Sequence, residues 1–260
     1  MTLEVRPVPA PRISRALGAE LRVLHVSDLH VRGMGRRERR LVHLARAARP
    51  DLVAITGDLW EPSDDPGTAR AALTAVVRAL AALAPTVVVL GNNDHSYPPA
   101  GHVVDTETLV TDVARAGAMV LRNEAAWLAR RAGPGAAPAD GVYLVGLDDN
   151  YLARDDLEAA TASVGVGAPA ILLAHSPDIV IDRDVSRFDL VLAGHTHGGQ
   201  VRLPLVGALE TQTRTPRYVD GLFRLPSGTY LHVSAGIGTS APHVRFLARP
   251  TVTLLRLVEG

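Results

Sequence analysis

Five short runs in this chain are apolar along their whole length rather than at alternate positions: LRVLHVS (21–27), LVAIT (52–56), TVVVL (86–90), AILLA (170–174) and LVLA (190–193). A strand with two apolar faces must be covered on both, which is the condition of strands inside a mostly parallel sheet. Helical patterns lie between the early runs. Leu41, Leu44, Ala45 and Ala48 recur on one side of 38–48, an alanine-rich stretch covers 68–83 before Pro85, and 105–117 closes on Gly117. Beyond that point the pattern turns to strands, over 119–131 and 142–147 around the loop AGPGAAPADG, then YLHVSA (230–235) and TVTLLRLV (251–258). The pattern predicts one α/β domain over 21–260, with two packed sheets and helices outside them. Residues 1–20 hold three prolines and three arginines without a continuous apolar core. They read as a loosely ordered arm rather than a secretory signal.

The residues just beyond each apolar run carry the chemistry. The first run ends in SDLH, giving Asp28 and His30; the second in GDL, giving Asp58; the third in GNND, giving Asn92. His175 comes directly after the fourth, and GHTH after the fifth, giving His195 and His197. Open α/β sheets bind ligands just beyond the carboxyl ends of their strands. Gly57, Gly91 and Gly194 each precede one of these residues, and glycine allows the close backbone approach that convergence needs. Carboxylate, amide oxygen and imidazole are ligands for Mn, Fe or Zn. Seven such groups are too many for one tetrahedral ion and suit a pair of divalent cations sharing a carboxylate, with Mn the first choice. Two ions roughly 3.5–4 Å apart form a clamp for in-line displacement at phosphorus and lower the pKa of bound water to about 7.

Composition removes other classes. There is no cysteine, so thiolate zinc sites, thiol nucleophiles and disulfides are excluded. Acidic and basic residues balance at 27 each, every base an arginine, which disfavours a protein living on nucleic-acid phosphates. No run of apolar residues is long enough to span a bilayer. A cytoplasmic location is the expectation.

The blocks DLH, GDL, GNND, AHSPD and GHTHGGQ, in that order, resemble the calcineurin-like metallophosphoesterase superfamily, whose pattern is D-x-H, G-D-x, G-N-H-D/E, a lone His and G-H-x-H. The longer stretches GHTHGGQVRLPLVG and GIGTSAPHVRF are similar to a bacterial subgroup with broad phosphodiesterase activity, some of whose members hydrolyse UDP-diacylglucosamine. The resemblance implies a four-layer α/β/β/α sandwich. It implies that Asp28, His30 and His197 hold one metal, that Asn92, His175 and His195 hold the other, and that Asp58 bridges them. The implied reaction is phosphodiester or pyrophosphate hydrolysis of a small phosphoester or nucleotide-type substrate by a metal-bridged hydroxide. A nuclease, a catalytically weak metal-binding module and a mononuclear amidase remain as alternatives.

The resemblance breaks at one position. Where the family has histidine, this chain has Asn93, which can donate a hydrogen bond but cannot deliver a proton. His95 is the candidate substitute if the loop curls back. Ala235 stands where relatives often carry arginine. Other signals are weaker. GRRERR (35–40) reads as the solvated first turns of a helix or as a grip on phosphates or an anionic membrane. GLDDN (146–150) could approach the site through Asp148 or Asp149, and Trp60 and Tyr97 could line a cleft. His25, His43, His102, His232 and His243 have no spacing that argues for a ligand.

Overall fold

A computed structural model describes residues 1–61, 65–96, 104–129 and 140–260. Tyr97, His102 and nearly all of the loop AGPGAAPADG lie outside the described residues. In chain order the strands are β1 (Thr2–Pro9), β2 (Leu21–Val26), β3 (Leu52–Thr56), β4 (Thr86–Val89), β5 (Met119–Val120), β6 (Glu124–Ala129) and β7 (Gly141–Gly146). Next come β8 (Ala170–Leu173), β9 (Leu190–Ala193), β10 (Arg202–Leu203), β11 (Gly207–Ala208), β12 (Gly221–Arg224), β13 (Tyr230–Val233) and β14 (Thr251–Val258). The helices are α1 (Pro11–Leu17), α2 (Arg36–Ala48), α3 (Pro66–Ala81), α4 (Thr106–Arg115), α5 (Leu157–Thr161) and α6 (Ile179–Asp182).

Two six-stranded sheets result, in the orders β1-β14-β2-β3-β4-β5 and β12-β13-β9-β8-β7-β6. Alternation along β2 shows why its run is apolar throughout. Leu24 and Val26 pack with Leu41, Leu73, Val76 and Val77 of α2 and α3. Val23 faces the other way, into a core shared with Ile171, Leu173, Leu190 and Leu192 of the second sheet. On the outer face of that sheet, Leu172 and Val191 pack with Ala160 of α5 and Ile179 of α6. The layers are therefore α/β/β/α. Helix starts obey local chemistry: Asp65, Asp105 and Asp156 accept from the backbone N–H groups of Thr68, Thr108 and Ala159.

The expected loose arm is corrected. β1 lies parallel to β14 in continuous register from Thr2↔Thr251 to Pro9↔Val258. The position is a sheet edge, where strand prolines are tolerated because only one side must donate. α1 then buries Ile13 and Leu17 in the inter-sheet core. Short and proline-rich, the segment gains its order from a distant partner strand.

Strand direction positions the site. β2, β3 and β4 are mutually parallel, as are β7, β8 and β9. The five predicted loops leave the carboxyl ends of β2, β3, β4, β8 and β9. Among the described residues, no helix is long and apolar enough to cross a membrane.

Candidate metal centre

Hydrogen bonds between loop backbones draw the strand ends together. Asp28 N–H donates to the Gly57 carbonyl at 3.1 Å, His30 N–H to Asp58 O at 3.0 Å and Gly194 N–H to His175 O at 2.8 Å. Space is tight: a Cβ at Gly91 would stand 2.4 Å from Asp58 Oδ1, and one at Gly194 would stand 1.8 Å from Ser27 Oγ. The backbone is also strained. Asp28, His30, Asp58, His195 and His197 all have positive φ, between 40° and 70°. Non-glycine residues rarely adopt this region, at roughly 1–3 kcal/mol each, and such residues cluster at functional sites.

All seven predicted ligand residues are buried or nearly so. Ligand atoms of Asp28, His30, Asp58 and His197 lie within 4.8 Å of one another. The other three meet as a chain: His175 Nε2 is 3.1 Å from Asn92 Oδ1 and 3.1 Å from His195 Nδ1. Asp58 links the groups, with Oδ2 at 3.3 Å from His30 Nε2 and Oδ1 at 3.5 Å from His175 Nε2. Two imidazoles have fixed tautomers. His175 Nδ1 donates to Thr56 O at 2.8 Å, and His30 Nδ1 donates to Glu61 Oε2 at 2.6 Å. A carboxylate or carbonyl behind a histidine is the usual outer support of a metal ligand.

Electrostatics describe a cluster in need of positive charge. Burial raises the Asp28 carboxyl, with Asp58 adding to it and His175 opposing. Burial would depress His30, but the carboxylates of Asp58 and Glu61 beside it raise it to about 9. His175 is likewise disfavoured as a cation by burial and raised well above its ordinary value by Asp58. His195 is pushed down to about 3 by burial and then by the charge on His175. Among the described residues, the buried side-chain nitrogens without a hydrogen-bond partner are His30 Nε2, His195 Nε2 and Trp60 Nε1. His30 Nε2 stands close to Asp58 but is poorly directed for a bond. Two orphaned imidazole nitrogens beside two buried carboxylates fit divalent cations.

The remaining predictions fall in different places. Asn93 lies over the Asp58 carboxylate, its backbone N–H donating to Oδ1 at 2.9 Å and its amide to Oδ2 at 2.7 Å. His95 is buried, and its Nε2 pairs with Asp148 Oδ1 at 2.7 Å rather than with any of the seven. Asp148 is drawn down to about 2, burial opposing and His95, the Asp149 N–H and Arg122 prevailing. Asp149 is buried near His175 and Asp58, and burial pushes it up to about 6. Trp60 belongs to the core between the first sheet and its helices, not to a cleft. Sequence reasoning missed Glu61, three residues beyond Asp58, and Arg245, which donates to His197 O at 3.0 Å and Ala235 O at 2.8 Å. Arg245 thus brings a guanidinium to the backbone of Ala235, the position at which this chain lacks an arginine side chain. A cleft of about 1040 Å³ opens on Asn92, Asn93 and His195, with Tyr151 packed on the His195 ring at a centroid distance of 4.5 Å and Arg183 and Arg214 also in its lining.

The family model of the calcineurin-like phosphoesterases matches residues 21–199. The chain is 34% identical over 215 residues to the phosphodiesterase YaeI of Escherichia coli (strain K12), covering 81% of this chain and 71% of that one. It is 32% identical over 215 residues to the metallophosphoesterase YkuE of Bacillus subtilis (strain 168), covering 81% and 68%. The fold is similar to that of TT1561 from Thermus thermophilus, with a TM-score of 0.50 at 14% identity over 84% of this chain and 90% of that one. With five strand-end motifs gathered into one buried cluster, the chain belongs to the calcineurin-like phosphoesterase family.

Proposed function

We propose that residues 21–260 form one catalytic unit that hydrolyses phosphodiester or pyrophosphate bonds in small phosphoester or nucleotide-type substrates, using two divalent cations, manganese foremost. The observation that carries this reading is the pair of orphaned imidazole nitrogens, His30 Nε2 and His195 Nε2, at opposite ends of a cluster joined through Asp58. Asp28, His30 and His197 would hold one cation, and Asn92, His175 and His195 the other, with Asp58 between them. Such a pair supplies Lewis-acid stabilisation of phosphoryl oxygens and an ionised water near neutral pH.

The chain's own residues then set orientation and selectivity. Glu61 and the Thr56 carbonyl hold His30 and His175 as fixed tautomers. The Asn93 amide faces the cluster and can steady a phosphoryl or leaving oxygen by a hydrogen bond. It cannot protonate that oxygen, so leaving groups that depart as stable anions are favoured. His95, the other candidate for work on the leaving oxygen, is engaged by Asp148 and in this reading fixes the loop that presents Asn93.

Hydrolysis of bis(p-nitrophenyl) phosphate should appear on manganese addition, cease with chelation, and accompany binding of two metal ions per chain. One ion per chain would favour a mononuclear amidase. Two ions without turnover would favour a silent binding module, which Asn93 motivates.

A further inference from the structure

Half of the exposed large apolar side chains among the described residues sit in two neighbouring segments: Leu203, Leu205, Val206 and Leu209 in one, and Val244, Phe246 and Leu247 in the other. The first segment is the hairpin of β10 and β11, paired through Arg202↔Ala208 and Leu203↔Gly207. Its tip is Pro204-Leu205-Val206, with Leu205 wholly exposed and Val206 at 70%. The second segment lies against it: Arg202 N–H donates to Phe246 O, and Phe246 N–H to Gln200 O, each at 2.9 Å. A single monomer surface rarely leaves so many large apolar groups contiguous and uncovered.

The two segments are built rather than slack. The Gln200 amide accepts from Ser240 N–H at 3.0 Å and donates to Pro242 O at 2.8 Å. Arg245 donates to Gly238 O at 2.8 Å. Apart from Arg245, whose guanidinium turns inward to the carbonyls of His197, Ala235 and Gly238, residues 201–210 and 239–249 hold Arg202, His243 and Arg249 against one acid, Glu210. The basic helix start joins them, since Arg32 touches His243, Met34 is exposed, and Arg36, Arg39 and Arg40 are exposed.

We propose that this face docks on an anionic lipid bilayer, with the 203–209 hairpin and Phe246 entering the interface and the arginines at its rim meeting lipid phosphates. A projecting apolar tip with a cationic rim combines the two signals that hold a peripheral protein on a membrane. A two-fold dimer through the same patch would set the arginine rim of one copy against that of the other, whereas anionic headgroups complement it. A cavity of about 230 Å³, lined by His197, Gln200, Leu209 and Pro242 among others, separates the candidate ligand His197 from this face. Docking would hold the metal centre at the lipid boundary. The proposal goes beyond the hydrolytic reading, because vesicle binding needs neither metal nor turnover.

The test is co-sedimentation of the full chain with phosphatidylcholine vesicles, with and without phosphatidylglycerol, at low and high salt. The chain should pellet with the anionic vesicles and less so in salt. L205S/V206S should lose about ten-fold or more in partitioning while keeping its circular dichroism and melting temperature. R36Q/R39Q/R40Q should lose the preference for phosphatidylglycerol, and the emission of a Leu205→Trp variant should shift to the blue on vesicle addition. Equal pelleting of the wild type and L205S/V206S would overturn the proposal, as would a wild type that stays in the supernatant. A dimer abolished by L205S/V206S, with no vesicle retention, would assign the patch to a second copy instead.

Discussion

Asp58 touches both halves of the cluster, sits at φ 52° and accepts two bonds from Asn93. Asp58→Asn removes a negative charge that approaches both candidate metal positions, so two-ion binding should fall to one ion or none on metal titration, with turnover lost. Glu61 acts through another residue, holding His30 Nδ1 at 2.6 Å. Glu61→Gln should weaken metal affinity about 10–100-fold, with activity recovering as metal is raised; loss that excess metal does not restore would refute a positioning role. Asn93→His should speed an alkyl phosphodiester more than an aryl one, by up to about 10²–10⁴-fold for an added proton donor; equal gains would remove the leaving-group argument. The seven candidate ligands were legible because each comes within a few residues of the end of an apolar run. Arg245 was not, because its role depends on a loop that folds back across 48 residues of chain to His197, and no periodic pattern marks such a contact.

At the scale of elements, the strands fix where each loop starts and the glycines fix how near the loops come. Gly194 lies at the closest crossing, where an added Cβ would meet Ser27 Oγ at 1.8 Å and Asp28 Oδ2 at 2.6 Å. Gly194→Ala should therefore cost about 1–3 kcal/mol of stability by overpacking and impair metal binding through Asp28. Gly165→Ala, where the nearest atom is 4.0 Å away, is the control that should do neither. If both variants bind metal alike, the close crossing is not what forms the site. The five buried strands and the helices α2, α3 and α4 were predictable from their own periodicity. β1 was not: its short run with Pro7 and Pro9 becomes a strand through the open edge of β14, nearly the whole chain away.

Across the whole molecule, the two sheets meet over an apolar core that contains a polar pair, His25 of β2 and His232 of β13, with Nδ1 atoms 2.7 Å apart. His25 also bonds Thr56 Oγ1 at 2.9 Å. Burial holds both imidazoles neutral: His25 falls well below its ordinary value and His232 to about 3, with Arg6 contributing to the latter. At these two sites the folded state thus binds fewer protons than the unfolded one below about pH 6.5. The pair costs nothing above that pH and lowers stability progressively as the pH falls from about 6.5 towards 3. Urea midpoints at pH 7 and pH 5 should differ more for the wild type than for H25V/H232L; equal differences would show that the pair does not set acid sensitivity. Spacing had marked neither histidine as a ligand, and neither belongs to the cluster, but that they face each other across the sandwich could not be read from either strand. The sequence by itself determined the strand runs, the helix faces and the donor types at each strand end, because these depend on neighbours a few residues apart. Tertiary structure alone decided the order of the first segment, the left-handed backbone of five candidate ligands, the supports from Glu61 and Arg245, and the apolar face beside the cleft. Each of those is a contact between distant segments, and its free energy exists only once the sheets have packed.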